Sequence, residues 1–284
     1  METSRVIDKY IIIKKIGSGN FGEVYIASDS NNNLVAAKVE SETGRMLLEY
    51  KIYKRLFHRG MTHIPKIYNF MVTKECNFMM MELLGPNLED LFETHKRKFK
   101  IETVILLARQ LIQLIANLHK ARYIHRDIKP SNFLVGTDRA ADQLYIMDFG
   151  LSKQYMDKNN VHMEYSSNRN LIGTARYASI NMHLGIEPSR RCDLVSIGYM
   201  LVYFAKGQLP WQGLHKHKQT QFKAIGDMKM KIPDSELCAG LPSCFETVLS
   251  YSKKLAFDEE PDYKYLLGLF DGSIVAGYKM EWMQ

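Results

Sequence analysis

Two short stretches in the middle of the chain carry residue types that suit phosphoryl transfer. The pattern H-R-D-x-x-x-x-N spans residues 125–132, and a D-F-G tripeptide begins at Asp148, sixteen residues after Asn132. In this arrangement one carboxylate accepts the proton of an attacking hydroxyl, while an amide oxygen and a second carboxylate bind Mg²⁺ against phosphate groups. We therefore expect Asp127 to be the catalytic base and Asn132 and Asp148 to hold Mg²⁺. Lys129 would add positive charge toward the transferred phosphoryl group.

A glycine-rich stretch near the N-terminus fits the pattern G-x-G-x-x-G-x-V over residues 17–24. Glycine lets backbone N–H groups approach phosphate oxygens without an intervening side chain. Dinucleotide folds use a similar turn that runs into a helix, whereas here a strand-like segment follows, and then V-A-A-K ending at Lys38. This order favours a hairpin covering a nucleotide, with a plain glycine-rich hairpin as the alternative. The predicted phosphate-contacting residues are Gly17, Ser18, Gly19 and Gly22.

Lys38 needs a carboxylate partner to hold it against the α- and β-phosphates. Apolar residues recur every four positions between 48 and 56, so residues 44–57 should form one helix with an apolar stripe. Glu49 lies on this helix and is the predicted partner. Glu40 and Glu42 are closer in sequence but lie outside the helix stripe, so they rank lower.

The elements that must position these residues fall into two groups around a break at Gly85-Pro86. Before the break, a strand is predicted to start at residues 11–13, and further strands are predicted over residues 23–27, 34–39, 66–72 and 78–82. After it, helices are predicted over residues 102–120, 190–205, 219–226 and 243–256, with short strands at 123–124 and 144–147. We expect an α+β fold of two lobes with a ligand cleft between them. The divisions are an N-terminal extension (1–9), a β-rich N-lobe (10–82), a hinge (83–86) and a helical C-lobe (87–284).

Composition limits the broad class of protein. Of 284 residues, 46% are hydrophobic and 24% charged, an ordinary balance for a soluble globular chain. The four cysteines show no C-x-x-C spacing, so neither a zinc site nor a disulfide framework is expected. No signal peptide or apolar span of membrane length is apparent, which favours a reducing intracellular compartment, the cytoplasm or the nucleus. The formal charge of +7 is modest, and no nucleic-acid recognition motif accompanies it.

Several longer stretches are similar to one known family. Residues 82–92 read E-L-L-G-P-N-L-E-D-L-F, and residues 173–181 read G-T-A-R-Y-A-S-I-N. The second stretch ends in Ser-Ile-Asn where most protein kinases have Ala-Pro-Glu. Residues 209–214 and 261–266 extend the match. Over roughly residues 10–270 the chain resembles the casein kinase I family of protein serine/threonine kinases.

The resemblance implies a bilobal protein kinase fold that uses ATP and Mg²⁺ to phosphorylate serine or threonine in proteins. It places Met81 behind the adenine and the backbone of Glu82 and Leu84 at the adenine edge. Asp193 matches an aspartate that braces the catalytic loop. The apolar residues that would enclose the adenine are Ile16, Val24, Ala36 and Leu134.

The family prefers proteins that carry acidic or phosphorylated residues upstream of the target hydroxyl. Guanidinium groups bind oxyanions through paired hydrogen bonds, and basic residues at matching positions imply an anion pocket. Gln221 falls at a usually basic position, and Lys218 is the expected substitute. The implied pocket residues are Arg126, Lys153, Arg176, Gly213 and Lys218. Because the family uses this pocket without an activation-loop phosphate, we expect the kinase to be active without such phosphorylation. We also expect the protein to be a monomer.

Two other functional classes were weighed. A pseudokinase scaffold normally lacks the lysine, the catalytic aspartate or the metal aspartate, and Lys38, Asp127 and Asp148 are all present here. A nucleic-acid-binding protein would draw on basic clusters such as residues 216–218, without the aromatic and basic motif that such proteins use. The active kinase is therefore the leading interpretation.

Overall fold

The computed structural model describes residues 6–19, 22–41, 44–214 and 218–283, with the backbone alone for residues 218–220. Its N-terminal part is an antiparallel sheet. The strands are β1 (Val6–Ile7), β2 (Tyr10–Gly19), β3 (Gly22–Ser28), β4 (Leu34–Glu40), β5 (Ile67–Val72) and β6 (Asn77–Glu82). They lie in the order β1-β2-β3-β4-β6-β5. Register pairs Val24 with Lys38 and Lys38 with Met79, so Lys38 sits in the middle of the sheet.

Helix α1 (Arg45–His58) carries one charged residue on its buried stripe. Met46, Ile52 and Leu56 are buried at a spacing that places them on one face of the helix. Glu49 shares that stripe and is 1% exposed. Because an ionised carboxylate cannot be buried without a partner at reasonable cost, a cation from the sheet must meet it.

The C-terminal part is mainly helical. Its helices are α2 (Leu88–Thr94), α3 (Ile101–Lys120), α4 (Ile180–His183), α5 (Arg190–Lys206), α6 (Lys218–Lys231), α7 (Asp234–Leu237), α8 (Ser243–Lys254) and α9 (Tyr263–Gly268). Helix α5 runs through the centre and is buried nearly all round, from Cys192 to Ala205. A helix that is apolar on every side must be covered on every side, and α3 and α8 pack against it.

Helix α3 is the second core helix. Leu107, Leu111 and Leu118 on it are fully buried. By length and mean hydropathy (1.4) α3 is also apolar enough to cross a membrane. No apolar span of that length was identified from the sequence. In this fold the apolar face of α3 packs on α5 and α9, as core helices of folded domains do.

Two short antiparallel sheets carry the chemistry-bearing loops. Strand β7 (Tyr123–Ile124) pairs with β10 (Lys153–Gln154), and β8 (Phe133–Val135) pairs with β9 (Leu144–Ile146). Residues 125–132 connect β7 to β8, and the D-F-G tripeptide follows β9. The two motifs are thus anchored at both ends and meet at the junction between the lobes.

The two-lobed α+β fold is confirmed, and most element positions agree with the sequence prediction within two residues. The predicted helix 219–226 continues to Lys231, because its C-terminal half packs beneath the activation segment. The predicted N-terminal extension contributes strand β1, which pairs with β2. Helices α2, α4, α7 and α9 and strands β8 and β10 were not predicted, since each is too short to show a periodic pattern.

Candidate active site

The loop that bears the catalytic motif is fixed by a buried aspartate on α5. Asp193 is 2% exposed, and its carboxylate accepts the backbone N–H groups of His125 (2.7 Å) and Arg126 (2.9 Å). Arg126 has a φ of 69°, a left-handed conformation that is costly for a residue with a side chain. The two hydrogen bonds offset that cost. The bracing contact implied for Asp193 is therefore present.

A neutral histidine completes this brace. His119 Nε2 lies 2.9 Å from the Asp193 carboxylate, and Nδ1 lies 2.6 Å from the Tyr263 hydroxyl. Burial lowers the pKa of His119, so the neutral ring donates to Asp193 and accepts from Tyr263. Burial alone would raise the pKa of Asp193, but hydrogen bonds from His119 and from the backbone of His125 lower it. The carboxylate therefore stays ionised, and both of its oxygens can accept hydrogen bonds from the backbone of the catalytic loop.

The Asp127 carboxylate is held at both oxygens. Oδ1 accepts from Thr174 Oγ1 (2.8 Å) and Oδ2 from Lys129 Nζ (2.7 Å). Gly173 has a φ of 73°, and a Cβ at this position would lie 2.5 Å from the Arg126 carbonyl oxygen. Only glycine therefore lets the Thr174 segment come this close to the catalytic loop. Asp127 is oriented before any substrate arrives.

The two predicted metal ligands are each held by a hydrogen bond. Asn132 is 3% exposed, and its Nδ2 donates to the Asp127 carbonyl (2.8 Å), so its side-chain oxygen is the atom that could serve as a ligand. Asp148 has a φ of 65° and donates its N–H to the Tyr53 hydroxyl (3.2 Å). Tyr53 also packs edge-on against Phe149, with ring centroids 4.9 Å apart. Helix α1 therefore contacts the D-F-G segment directly.

This donor set fits Mg²⁺ better than a metal held by protein alone. Among the described residues, no group of three or more His, Cys, Asp or Glu side chains is placed to hold a metal ion. Mg²⁺ keeps much of its water and is bound by one or two carboxylates together with substrate phosphates. Asn132 and Asp148 supply two oxygen donors, which is what such a shared site needs.

Lys38 meets three carboxylates at the other side of the cleft. Its Nζ lies 2.6 Å from Glu49 Oε2, 3.5 Å from Glu40 Oε1 and 3.9 Å from Asp148 Oδ1. Burial alone would lower the pKa of Lys38, but Glu49, Asp148 and Glu40 together raise it, so the ammonium stays charged. Burial raises the pKa of Glu49 against the opposing effect of Lys38. The predicted partner, Glu49, is the nearest of the three.

The residues predicted to form an apolar slot around an adenine lie on β2, β3, β4, β6 and β8 and in the hinge. Ala36 and Met81 are register partners on β4 and β6, 7% and 2% exposed. The N–H of Glu82 donates to the Lys66 carbonyl (2.8 Å), so of its backbone groups only the carbonyl can serve a nucleotide base. The remaining slot residues are Ile16 on β2, Val24 on β3, Leu84 in the hinge and Leu134 on β8.

The glycine-rich stretch forms the end of the β2–β3 hairpin. Gly17 pairs with Val24, Ser18 with Glu23, and Gly19 with Gly22. The tip at residues 20–21 lies outside the described residues. The hairpin, followed by β4 with Lys38, has the strand–turn–strand order that distinguishes a nucleotide-covering loop from a turn into a helix.

A family model for the protein kinase domain matches residues 10–255. The chain belongs to the protein kinase domain family. As a kinase domain it is a phosphotransferase that takes ATP as donor and a protein as acceptor, with Mg²⁺ as the usual companion of ATP.

The ion pair on helix α1 gives a first prediction for this kinase. Glu49→Gln removes the carboxylate nearest to Lys38, so we expect kcat/KM for ATP to fall by about tenfold or more. Glu40→Gln is the matched control, because Glu40 lies 3.5 Å from Lys38 and should matter less, within about threefold of wild type. Steady-state kinetics at varied ATP measure both. Equal losses in the two variants would contradict the assignment of Glu49 as the principal partner.

The predicted anion pocket is not a single site in this kinase. Arg126 and Lys153 line one cavity of about 660 Å³, whereas Arg176 and Gly213 line another of about 380 Å³. The sequence prediction grouped them because Arg126, Lys153 and Arg176 match basic positions of the resembled family around the activation segment. The Lys218 side chain lies outside the described residues, and its backbone starts helix α6.

The sequence prediction missed an acidic residue inside the first cavity. The Glu187 carboxylate lies 3.3 Å from Arg126 Nη1, 3.0 Å from Lys153 Nζ and 3.2 Å from Arg169 Nε. Its side chain is 7% exposed. We call Arg126, Lys153, Arg169 and Glu187 the basic cluster. Neither Glu187 nor Arg169 falls in a recognised motif, so no local pattern pointed to them. Thr174 was also missed, although it lies in the quoted stretch 173–181.

Proposed function

We propose that this kinase is a serine/threonine kinase of the casein kinase I type, which phosphorylates acidic or phosphate-primed proteins. The observation that carries the proposal is the position of Lys129. Its ammonium binds Asp127 and also lines the 380 Å³ cavity that contains Arg176 and Gly213. A substrate anion in that cavity would lie next to the catalytic carboxylate.

The reaction follows from the roles of the chain's own residues. Asp127, fixed by Thr174 and Lys129, orients the substrate hydroxyl and accepts its proton as the oxygen attacks the γ-phosphorus. The bond from that phosphorus to the leaving oxygen of ADP breaks. Lys38 holds the α- and β-phosphates while Lys129 faces the developing charge. Asn132 and Asp148 would hold Mg²⁺, which supplies charge neutralisation between the phosphates.

Substrate selection rests on the second cavity. We call Arg176, Gly213, Gln221 and Lys129 the substrate cavity, and Glu89 is the carboxylate among its lining residues. The Arg176 guanidinium lies 5.7 Å from the Tyr203 ring centroid and 5.8 Å from that of Tyr177. Stacked in this way it loses little freedom on binding an oxyanion. An acidic or phosphorylated side chain of the substrate is the complementary group.

A peptide panel tests this selection. Wild type should prefer a peptide with phosphoserine or aspartate three residues before the target serine over one with alanine there. The preference is the ratio of kcat/KM for the acidic or phosphorylated peptide to kcat/KM for the alanine peptide. Arg176→Ala should lower this ratio by about tenfold, since a charge-assisted bidentate contact is lost. Arg139→Ala, an exposed arginine away from the cavity, should leave it unchanged. An undiminished preference in Arg176→Ala would contradict the assignment.

Activity without activation-loop phosphorylation is supported by the basic cluster. Three cations converge on a point where a phosphate could sit, and the Glu187 carboxylate already occupies it. Arg126 is next to Asp127 in the chain and also donates through Nε to the Leu151 carbonyl (2.6 Å). The cluster thus ties the catalytic loop to the activation segment with an anion that the chain itself provides.

Removal of that anion gives the third prediction. Glu187→Gln leaves the basic cluster without its carboxylate, so we expect kcat to fall by about fivefold to tenfold as Arg126 loses its partner. Millimolar sulfate should restore part of the loss, because an oxyanion can enter the same cavity. Glu164→Gln, an exposed change on the activation segment, is the control. The kinetics use phosphatase-treated enzyme. A fully active Glu187→Gln, or an inactive dephosphorylated wild type, would contradict the proposal.

A further inference from the structure

A buried lysine on helix α6, outside the ATP site, contacts the activation segment. Lys229 lies on helix α6 and is 2% exposed. Its ammonium donates to the carbonyl oxygens of Ala175 (2.7 Å) and Ala178 (2.6 Å) and lies 3.3 Å from His183 Nε2. Both carbonyls belong to the turn formed by residues 174–179, which we call the substrate turn.

Aromatic rings enclose this ammonium. The Tyr199 and Trp211 ring centroids each lie 5.0 Å from Lys229 Nζ. Burial lowers the pKa of Lys229 well below its usual range, and the nearby Lys253 lowers it further. Two carbonyl dipoles and two ring faces act in the opposite direction, since each favours the charged form. A lysine buried at such cost is retained where its hydrogen bonds hold something in place.

The substrate turn carries two groups that the reaction needs. Thr174 donates to the catalytic Asp127, and Arg176 lines the substrate cavity. Trp211 Nε1 donates to the Arg176 carbonyl (2.8 Å), so the carbonyls of residues 175, 176 and 178 are all held from the same side. The turn is also held by the bond from Thr174 to Asp127 and by the burial of Tyr177 and Ala178 in the core. Lys229 and Trp211 add donors to three of its carbonyl oxygens, so the positions of these carbonyls depend on them.

Helix α6 is brought close enough to act on this turn. A Cβ on Gly226 would lie 3.0 Å from His183 Cβ, so glycine allows α6 to pack tightly on α4. Helix α4 begins at the Ser-Ile-Asn end of the activation segment, where Ser179 caps it by accepting the Met182 N–H. Most kinases have Ala-Pro-Glu at this place. In this chain a lysine from α6 bonds to carbonyl oxygens of the segment just before this point.

We infer that Lys229 is a positioning residue that fixes the substrate turn and so sets the affinity of the kinase for its protein substrate. The inference rests on the proposed function for the meaning of the substrate cavity. Lys229 contacts neither the lysine–carboxylate site at Lys38 nor the metal ligands in the described structure. Loss of its hydrogen bonds should therefore weaken peptide binding much more than nucleotide binding.

The test compares Lys229→Met with wild type, and Lys253→Met serves as the control. Lys253 also lies over the Tyr199 ring, at 5.4 Å, but pairs with Asp234 and not with the substrate turn. We expect Lys229→Met to raise KM for the peptide by about tenfold or more, with Kd for Mg-ADP within about twofold of wild type. Hydrogen exchange of the amides of residues 174–182 should be faster by about tenfold, as buried carbonyls lose their donor. Lys253→Met should change none of these.

The outcomes separate the inference from the proposed function. If wild type phosphorylates no peptide, the proposed function fails. If wild type is active and a folded Lys229→Met has a peptide KM and exchange rates within about twofold of it, the inference is overturned. If Lys229→Met fails to bind nucleotide, the peptide KM of Lys229→Gln is measured instead. The shorter polar side chain of glutamine cannot reach both carbonyl oxygens. A wild-type peptide KM in that variant would overturn the inference, and a raised KM would support it.

Discussion

Asp127→Asn should lower kcat by about 10²- to 10⁴-fold, the range found for loss of a general base. An asparagine amide keeps the size of the side chain but cannot accept the substrate proton, and its NH₂ group cannot accept from both Thr174 and Lys129. ATP binding should stay within about twofold of wild type, since Lys38 and the hinge are untouched. Single-turnover phosphorylation and nucleotide binding measured on the same protein separate the two effects.

The control for this variant is Asp138→Asn. Asp138 is exposed in a turn before β9 and has a φ of 49°, a conformation that asparagine tolerates well. Its kcat should match wild type. A kcat for Asp127→Asn within about tenfold of wild type would remove Asp127 from the role of base.

Asp193→Ala should have the largest effect on stability. The change leaves the backbone N–H groups of His125 and Arg126 and the ring of His119 without their shared acceptor, in buried surroundings for the two histidines and partly buried ones for Arg126. Each unsatisfied buried donor costs about 1–3 kcal/mol, so the free energy of unfolding should fall by more than about 3 kcal/mol. Tm should fall by roughly 6–12 °C, measured by calorimetry. Asp258→Ala, an exposed aspartate, should stay within about 0.5 kcal/mol of wild type.

The effect of Asp193 should also depend on pH in a defined direction. The folded pKa of Asp193 is lowered, so its carboxylate stabilises the fold above the unfolded pKa of about 3.9. That contribution is lost as the pH falls through the folded value. The difference in unfolding free energy between wild type and Asp193→Ala should therefore be constant near neutral pH and narrow below about pH 4. A difference that widens in acid would mean that the brace is not an ionised carboxylate.

The arrangement of the candidate catalytic residues could be predicted from sequence because each motif is local. Asp127, Lys129 and Asn132 occupy one eight-residue loop, and their spacing is set by the chemistry they perform on one phosphate. The pairing of Lys38 with Glu49 needed one further step, the phase of a single helix. The predicted stripe was only partly right, because Leu48 is 50% exposed and Met46 is buried instead, but Glu49 does share the buried face with Ile52 and Leu56.

The anion sites could not be predicted because they depend on how distant segments pack. Arg126 and Arg176 are both arginines beside the activation segment, yet one turns toward Glu187 and the other stacks on Tyr203. Sequence order carries no information on which side of the segment each guanidinium emerges. The same holds for Lys229, which looks like a surface lysine in a polar helix and becomes buried only when α6 meets the substrate turn.

The central claim, phosphoryl transfer by this site, is tested most directly by transfer of radiolabel from γ-labelled Mg-ATP to casein. Wild type should label the protein on serine or threonine, whereas Lys38→Met and Asp148→Asn should each reduce the rate by about 10²-fold or more. Both variants remove charge that acts on the phosphates but leave Asp127 in place. Equal labelling by wild type and both variants, or labelling by none, would contradict the account.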